Sequence, residues 1–145
     1  MAADSEAPAA QRAVVAILRA ADAVRRRMAE ALDPHGITGQ QYNVLRILRG
    51  AHPDPLPTLE IGERLMERNP GITRLLERLE QKRLVRRARG ETDRREVRCH
   101  ITAEGLALLA ELDGPIDRAN EQVFDGFDPL DVREIGRLLE RLGDG

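Results

Sequence analysis

The chain has 145 residues, 41% of them hydrophobic and 33% charged, enough for one packed domain or one domain with helical extensions and too little for a multidomain assembly. One serine (Ser5), one cysteine (Cys99) and three histidines (His35, His52, His100) at unrelated spacings leave no serine hydrolase, no intrachain disulfide and no metal-ligand cluster. The net charge of −2 hides an asymmetry: residues 68–98 hold eleven Lys/Arg and five Asp/Glu, net +6, so the rest of the chain is net −8 and one electropositive segment sits on an acidic molecule.

From Val14 the apolar residues Ile17, Leu18, Ala21, Val24, Met28 and Leu32 recur at three and four, which predicts a long amphipathic helix. It should stop near Asp33-Pro34, because the residue before proline is pushed out of helical geometry. Thr38-Gly39-Gln40-Gln41 reads as a capping box opening a second helix with Val44, Leu45 and Leu48 inward. A loop with Pro53, Pro55 and Pro57 follows, then Thr58 as the expected N-cap of a short third helix packing Ile61, Leu65 and Met66. Asn69-Pro70 reads as N-cap plus proline at the first position of a fourth helix. That helix points Ile72, Leu75, Leu76 and Leu79 inward and leaves Arg74, Glu77 and Arg78 outside. Two helices joined by a tight turn, the second presenting arginines, make the helix-turn-helix pattern.

After Leu84 the pattern alternates, predicting strands over 84–89 and 97–101, with Val97, Cys99 and Ile101 on one face and Arg98 and His100 on the other. The polar run Gly90–Glu96 between them is the tip of a hairpin, or wing. Thr102 caps a fifth helix expected to bend at Gly114-Pro115, and Asp128-Pro129 opens a sixth with Leu130, Ile135, Leu138, Leu139 and Leu142.

A helix fits the major groove of DNA, where arginine reads the O6 and N7 of guanine. Arg74 and Arg78 lie one turn apart on the exposed face of the fourth helix, and the short Thr73 reaches a phosphate or a thymine methyl. At the wing tip Arg94 and Arg95 suit the narrow minor groove. Asp93 holds an arginine or the hairpin backbone in place, or is simply a turn residue.

The run Ile72-Thr73-Arg74-Leu75-Leu76-Glu77-Arg78-Leu79-Glu80, followed by Leu84-Val85-Arg86-Arg87, Asp93-Arg94-Arg95 and Ile101-Thr102-Ala103-Glu104-Gly105, resembles the multiple-antibiotic-resistance regulator (MarR) family of winged helix-turn-helix repressors. The resemblance implies a mainly α fold with a small β-hairpin wing (α+β), and a homodimer joined by the first, fifth and sixth helices. It also implies recognition helices in two major grooves and wing arginines in the flanking minor grooves. Across residues 1–145 it divides the chain into a DNA-binding lobe over about 38–102 and dimerisation helices over about 12–33 and 103–143. The expected DNA-contacting set is Thr58, Asn69, Pro70, Thr73, Arg74, Arg78, Asp93, Arg94 and Arg95. Arg83 departs from the family, many of whose members carry glycine there, and puts the usual left-handed end of the fourth helix in doubt.

The expected partners are double-stranded DNA with an inverted-repeat operator, a second copy of the chain and a small-molecule effector, with no cofactor, metal or membrane. The first eleven residues are acidic and small, and the longest early apolar run is six residues. Neither a signal peptide nor a membrane span is therefore expected, and the location is cytoplasmic, at a bacterial or archaeal nucleoid. Tyr42 and Arg46, with Arg49, fall on a stripe of the second helix away from Val44, Leu45 and Leu48. They would suit an aromatic anionic ligand, or else pack at the dimer interface and pair with acids. Cys99 alternates with apolar strand residues and is expected to be core, the alternative being a redox-sensing thiol. A winged-helix protein-interaction module is the other alternative. An enzyme is not expected, since no phosphate loop, nucleophile with base or metal cluster is readable.

Overall fold

The computed structural model describes residues 7–143. Helix α1 (Ala9–Leu32) ends at the predicted place. A single 3-10 turn (Asp33–His35) follows, closed by Gly36 at φ 72°, whose N–H donates to the Asp33 carbonyl at 3.0 Å. The capping box of α2 (Gly39–Ala51) forms as expected, with Gln41 N–H donating to Thr38 Oγ1 at 3.2 Å and Thr38 N–H to Gln41 Oε1 at 3.0 Å. Lys82, the one lysine of the chain, donates to that same Gln41 oxygen at 3.2 Å and to the Gly36 carbonyl. The end of α4 is thereby tied to the start of α2.

Strand β1 (Leu56–Pro57) was not anticipated. It is two residues long, lies on an edge where proline is tolerated, and pairs Leu56 with Cys99 and Pro57 with Arg98. With β2 (Val85–Arg89) and β3 (Val97–Ile101) it forms an antiparallel sheet ordered β1-β3-β2.

Helix α3 (Thr58–Arg64) corrects one expectation. Pro57 holds the cap position, Thr58 is already helical, and its hydroxyl donates to the Val97 carbonyl at 3.1 Å, joining α3 to the wing. Ile61 is fully buried, but Met66 lies beyond the helix end and is 79% exposed, against the inward position expected for it.

The start of α4 (Ile72–Gln81) is a second correction: Asn69 and Pro70 form a turn ahead of the helix, and Gly71 is the cap. Asn69 Oδ1 accepts from Gly71 N–H at 2.7 Å, and its amide donates to Gln40 Oε1 at 2.6 Å. That i to i+2 bond is an Asx turn, which shares its local chemistry with an N-cap. Leu75, Leu76 and Leu79 are buried as predicted.

The helix ends in the left-handed manner despite the missing glycine. Arg83 sits at φ 64°, its N–H donates to the Glu80 carbonyl at 2.9 Å, and Leu84 N–H donates to the Leu79 carbonyl at 3.1 Å. These are the two bonds of a Schellman motif.

Helix α5 (Ala103–Val123) is capped by Thr102, whose Oγ1 accepts from Gly105 N–H at 3.0 Å, and it continues through Pro115. In α6 (Pro129–Gly143), Leu130 N–H donates to Asp128 Oδ1 at 3.1 Å, as the Asp-Pro pair implies.

One core unites the lobe with the ends of the chain. Leu32, Val44, Leu45, Leu48, Ile61, Leu76, Leu79, Cys99, Leu109 and Leu112 are all essentially inaccessible. Helix α1 packs along α5, whereas α6 has no comparable packing against any other element. Val14 and Leu18 on α1, and Leu130, Leu138, Leu139 and Leu142 on α6, remain exposed.

Candidate nucleic-acid interface

With Leu75, Leu76 and Leu79 anchored in the core, helical geometry turns Thr73, Arg74, Glu77 and Arg78 to solvent. Arg74 and Arg78 are four residues apart and so project from one side of α4.

The wing tip is a closed, hydrogen-bonded loop. Gly90 N–H donates to the Glu96 carbonyl at 2.8 Å, Glu96 N–H to the Asp93 carbonyl at 3.2 Å, and Arg95 N–H to Asp93 Oδ1 at 3.0 Å. The Asp93 carboxylate therefore fixes the backbone that carries Arg95. Gly90 is required here, since a Cβ would stand 2.7 Å from the Asp93 carbonyl oxygen. Arg94 and Arg95 are both exposed.

Ion pairing withdraws some of the arginines of this surface. Glu80 grips Arg87, accepting from its backbone N–H at 2.9 Å and its guanidinium at 3.0 Å. Those hydrogen bonds hold the Glu80 carboxyl below its ordinary pKa. Glu96 pairs with Arg98 at 3.0 Å, and Glu60 with Arg64. Among the described residues Arg74, Arg78, Arg94 and Arg95 enter no such pair. Arg68, exposed in the turn before α4 and also without an ion pair, was not singled out from the sequence. Its place inside the basic segment was the available signal. Of the other expected contact residues, Pro70 is exposed beside the start of α4, while Thr58 and Asn69 spend polar atoms on the internal bonds described above.

The residues of the α2 stripe differ in exposure. Tyr42 is only 6% exposed and belongs to the core, because α2 is enclosed by α1 and α5 on one side and by α3, α4 and β3 on the other. Burial raises its phenol pKa, opposed by the charges of Arg46 and Arg49. The exposed Arg46 guanidinium stands 6.0 Å from the Tyr42 ring centre, and Arg49 grips Asp113 of α5 through two contacts of 3.1 Å.

Cys99 is wholly buried, and burial pushes its thiol up to about 11. A thiol held protonated and shielded does not suit redox sensing. No group of three metal-ligating side chains, and no helix long and apolar enough to cross a membrane, occurs among the described residues.

Comparison with known proteins agrees with this arrangement. The MarR family profile matches residues 35–96, from the turn before α2 to the wing tip. The crystal structure of a MarR transcription factor from Planctomyces limnophilus is 34% identical, covers 92% of this chain and 97% of its own, and superposes with a TM-score of 0.75. The HTH-type transcriptional regulator MhqR of Bacillus subtilis is 26% identical over 129 residues, 89% of this chain and 88% of that protein. The homoprotocatechuate degradative operon repressor of Escherichia coli is 28% identical over 126 residues, 87% of this chain and 84% of that protein. By sequence, by winged-helix architecture and by full-length coverage of a relative, this chain belongs to the MarR family of transcription regulators, which bind DNA and are not enzymes.

Proposed function

We propose that the protein is a homodimeric repressor that places α4 of each protomer in a major groove of an inverted-repeat operator and each wing tip in the adjoining minor groove. The observation that carries this reading is the distribution of unpaired arginines. On a molecule of net charge −2, Arg74 and Arg78 on α4 and Arg94 and Arg95 at the wing tip are exposed without acidic partners among the described residues. Thr73 and Pro70 flank the helix contact, Thr58 and Asn69 brace its surroundings, and Asp93 positions Arg95. Base edges are read from α4, while the wing supplies charge and senses groove width.

The lobe over about 38–102 is the DNA-binding unit, and the helices over about 12–33 and 103–143 join the protomers. The uncovered apolar residues of α1 and α6 support that division. The expected setting is the cytoplasm, on the chromosome.

An aromatic anion is the effector class we infer. A similar chain represses a homoprotocatechuate degradative operon, homoprotocatechuate is an aromatic carboxylate, and Arg46 stands exposed beside the Tyr42 ring at the seam between the lobe and the long helices. Such a ligand would act by favouring a separation of the two α4 helices that no longer fits successive major grooves, to the extent of its differential affinity for the two states.

The test is selection of bound sequences from random duplex DNA, followed by binding isotherms on the selected inverted repeat and on random duplex at several salt concentrations. A repressor shows a sequence preference of about 10³ or more and a steep salt slope. Equal, weak binding to both duplexes would favour a protein-interaction module meeting an acidic partner.

A further inference from the structure

The outer face of the sheet, at the base of the wing, carries basic groups that DNA recognition leaves unused. A cavity of about 390 Å³ is lined there by His52, Pro53, Arg86, His100, Ile101 and Thr102. The antiparallel register sets Arg86 directly opposite His100, so their side chains leave the sheet on one face, opposite the face of Arg87 and Cys99. The pairing of β1 with the far side of β3 brings the loop containing His52 alongside them. The site lies away from the hairpin tip: Arg86 and His100 are three register positions from the Arg89–Val97 pair that borders it, or about 10 Å of strand.

The chemistry of the lining is one-sided. A guanidinium and two imidazoles converge with no carboxylate in the wall. Glu80 and Glu104 line the adjoining groove on the other side of Arg86, and Glu80 is already held by Arg87. Among the described residues, neither Arg86 nor either imidazole makes a side-chain hydrogen bond. A planar guanidinium binds an oxyanion through two parallel bonds, and an imidazole offers an N–H donor in either tautomer. Pro53 provides apolar wall for whatever carries the anion, while Ile101 borders the cavity through its backbone, its side chain belonging to the core face.

We infer that this cavity binds a small oxyanion, a carboxylate or a phosphate, as a ligand site separate from the Tyr42 seam. The occupant would touch four parts of the fold at once: the loop leaving α2, the two wing strands, and Thr102 at the cap of α5. Ligand binding would thus reach the wing through its base rather than through its DNA-facing tip. The inference does not depend on the DNA-binding reading, because its test measures ligand alone.

The experiment follows the imidazole NMR signals of the full-length protein during titration with inorganic phosphate and, separately, with benzoate, at ionic strength held constant with chloride. His→Gln variants assign the three rings. The site predicts saturable shifts of His52 and His100 with His35 unmoved, weakened at least about tenfold in Arg86→Gln and to an intermediate degree in Arg86→Lys, which keeps the charge and loses the two-bond fork. Saturation by phosphate alone or by benzoate alone supports the site and identifies the form of oxyanion. The inference is overturned if neither probe saturates either ring, if His35 shifts in parallel with the other two, or if Arg86→Gln titrates like the unchanged protein. Arg86 is exposed, and a matched melting temperature confirms that the variant is folded.

Discussion

Gly105→Ala sets local propensity against packing at the junction of α4, the wing and α5. In a helix, alanine is favoured over glycine by about 1 kcal/mol, so propensity alone expects stabilisation. The surroundings reverse the sign. A Cβ at Gly105 would lie 2.5 Å from the Leu84 carbonyl oxygen and 2.7 Å from Cγ1 of Ile101, where ordinary contact begins at 3.4 Å, so a shift of roughly 0.9 Å is needed. The Leu84 carbonyl is poorly placed to retreat. It accepts from Thr102 N–H at 3.1 Å and lies 3.0 Å from the Thr102 hydroxyl. Overpacking of this kind costs about 1 to 3 kcal/mol, and loosening the Thr102 bonds adds about 1. After the propensity gain, the net destabilisation should be about 1 to 3 kcal/mol. Gly62→Ala in α3 is the control, since its Cβ would meet no atom within 4 Å, and it should stabilise by up to about 1 kcal/mol. Urea denaturation followed by helical circular dichroism, at one protein concentration throughout, measures both. If Gly105→Ala matches or exceeds the stability of the unchanged chain while Gly62→Ala behaves as stated, the packing argument at this junction is wrong.

Arg83→Gly should raise stability by about 0.5 to 1 kcal/mol. Removing left-handed strain of about 1 to 2 kcal/mol outweighs the extra freedom of glycine in the unfolded chain, and a lower denaturation midpoint would show that the arginine side chain compensates. Cys99→Ala should cost on the order of 1 kcal/mol near neutral pH, and native Cys99 should resist a thiol reagent that labels the unfolded protein at once. Because burial holds the folded thiol up at about 11 against about 9 for a free one, its stabilisation is complete below about pH 9 and is lost as pH rises through the folded value. The stability difference between the unchanged chain and Cys99→Ala should therefore shift by about 2 to 3 kcal/mol between pH 8 and 11, and a pH-independent difference would contradict the burial described. On the selected operator, Arg74→Ala should lose about 1 to 3 kcal/mol and relax preference at one base pair of each half-site. Arg95→Ala should weaken binding most where the flanks are A·T-rich and flatten the salt slope by about one unit per arginine. Unchanged affinity and slope for Arg95→Ala on both flank types would remove the wing from the interface.

Helices carried by strong periodicity and reciprocal caps were legible in the sequence. Thr38 with Gln41, Thr102 and Asp128-Pro129 all cap as expected, because each signal is satisfied within four residues. Where local chemistry is shared by two structures, tertiary packing decides. Asn69 bonds two residues ahead as an Asx turn instead of capping α4, and Thr58 finds a distant partner in β3. Strand β1 left no alternation to read, being two residues of a proline-rich loop. Tyr42 looked like a surface stripe because periodicity identifies one apolar face, whereas α2 is enclosed on two. The basic interface was visible as composition, but which arginines stay unpaired was not. The Glu80 clasp on Arg87 spans the turn from α4 into β2 and exists only once the wing is folded.

Helix α6, so sparingly attached to its own chain, has a consequence for how protein quantity governs form. Its 15 residues make a rod of about 22 Å, near the length at which solitary helices are marginal in water. In the proposed dimer a second copy would cover the apolar side of that rod. Mass action would then set its order: dilution would loosen the C-terminal helix first, while the core shared by the lobe, α1 and α5 stays packed. The abundance of the regulator would thus regulate its architecture, with newly made or scarce copies carrying complete wings on incompletely formed ends.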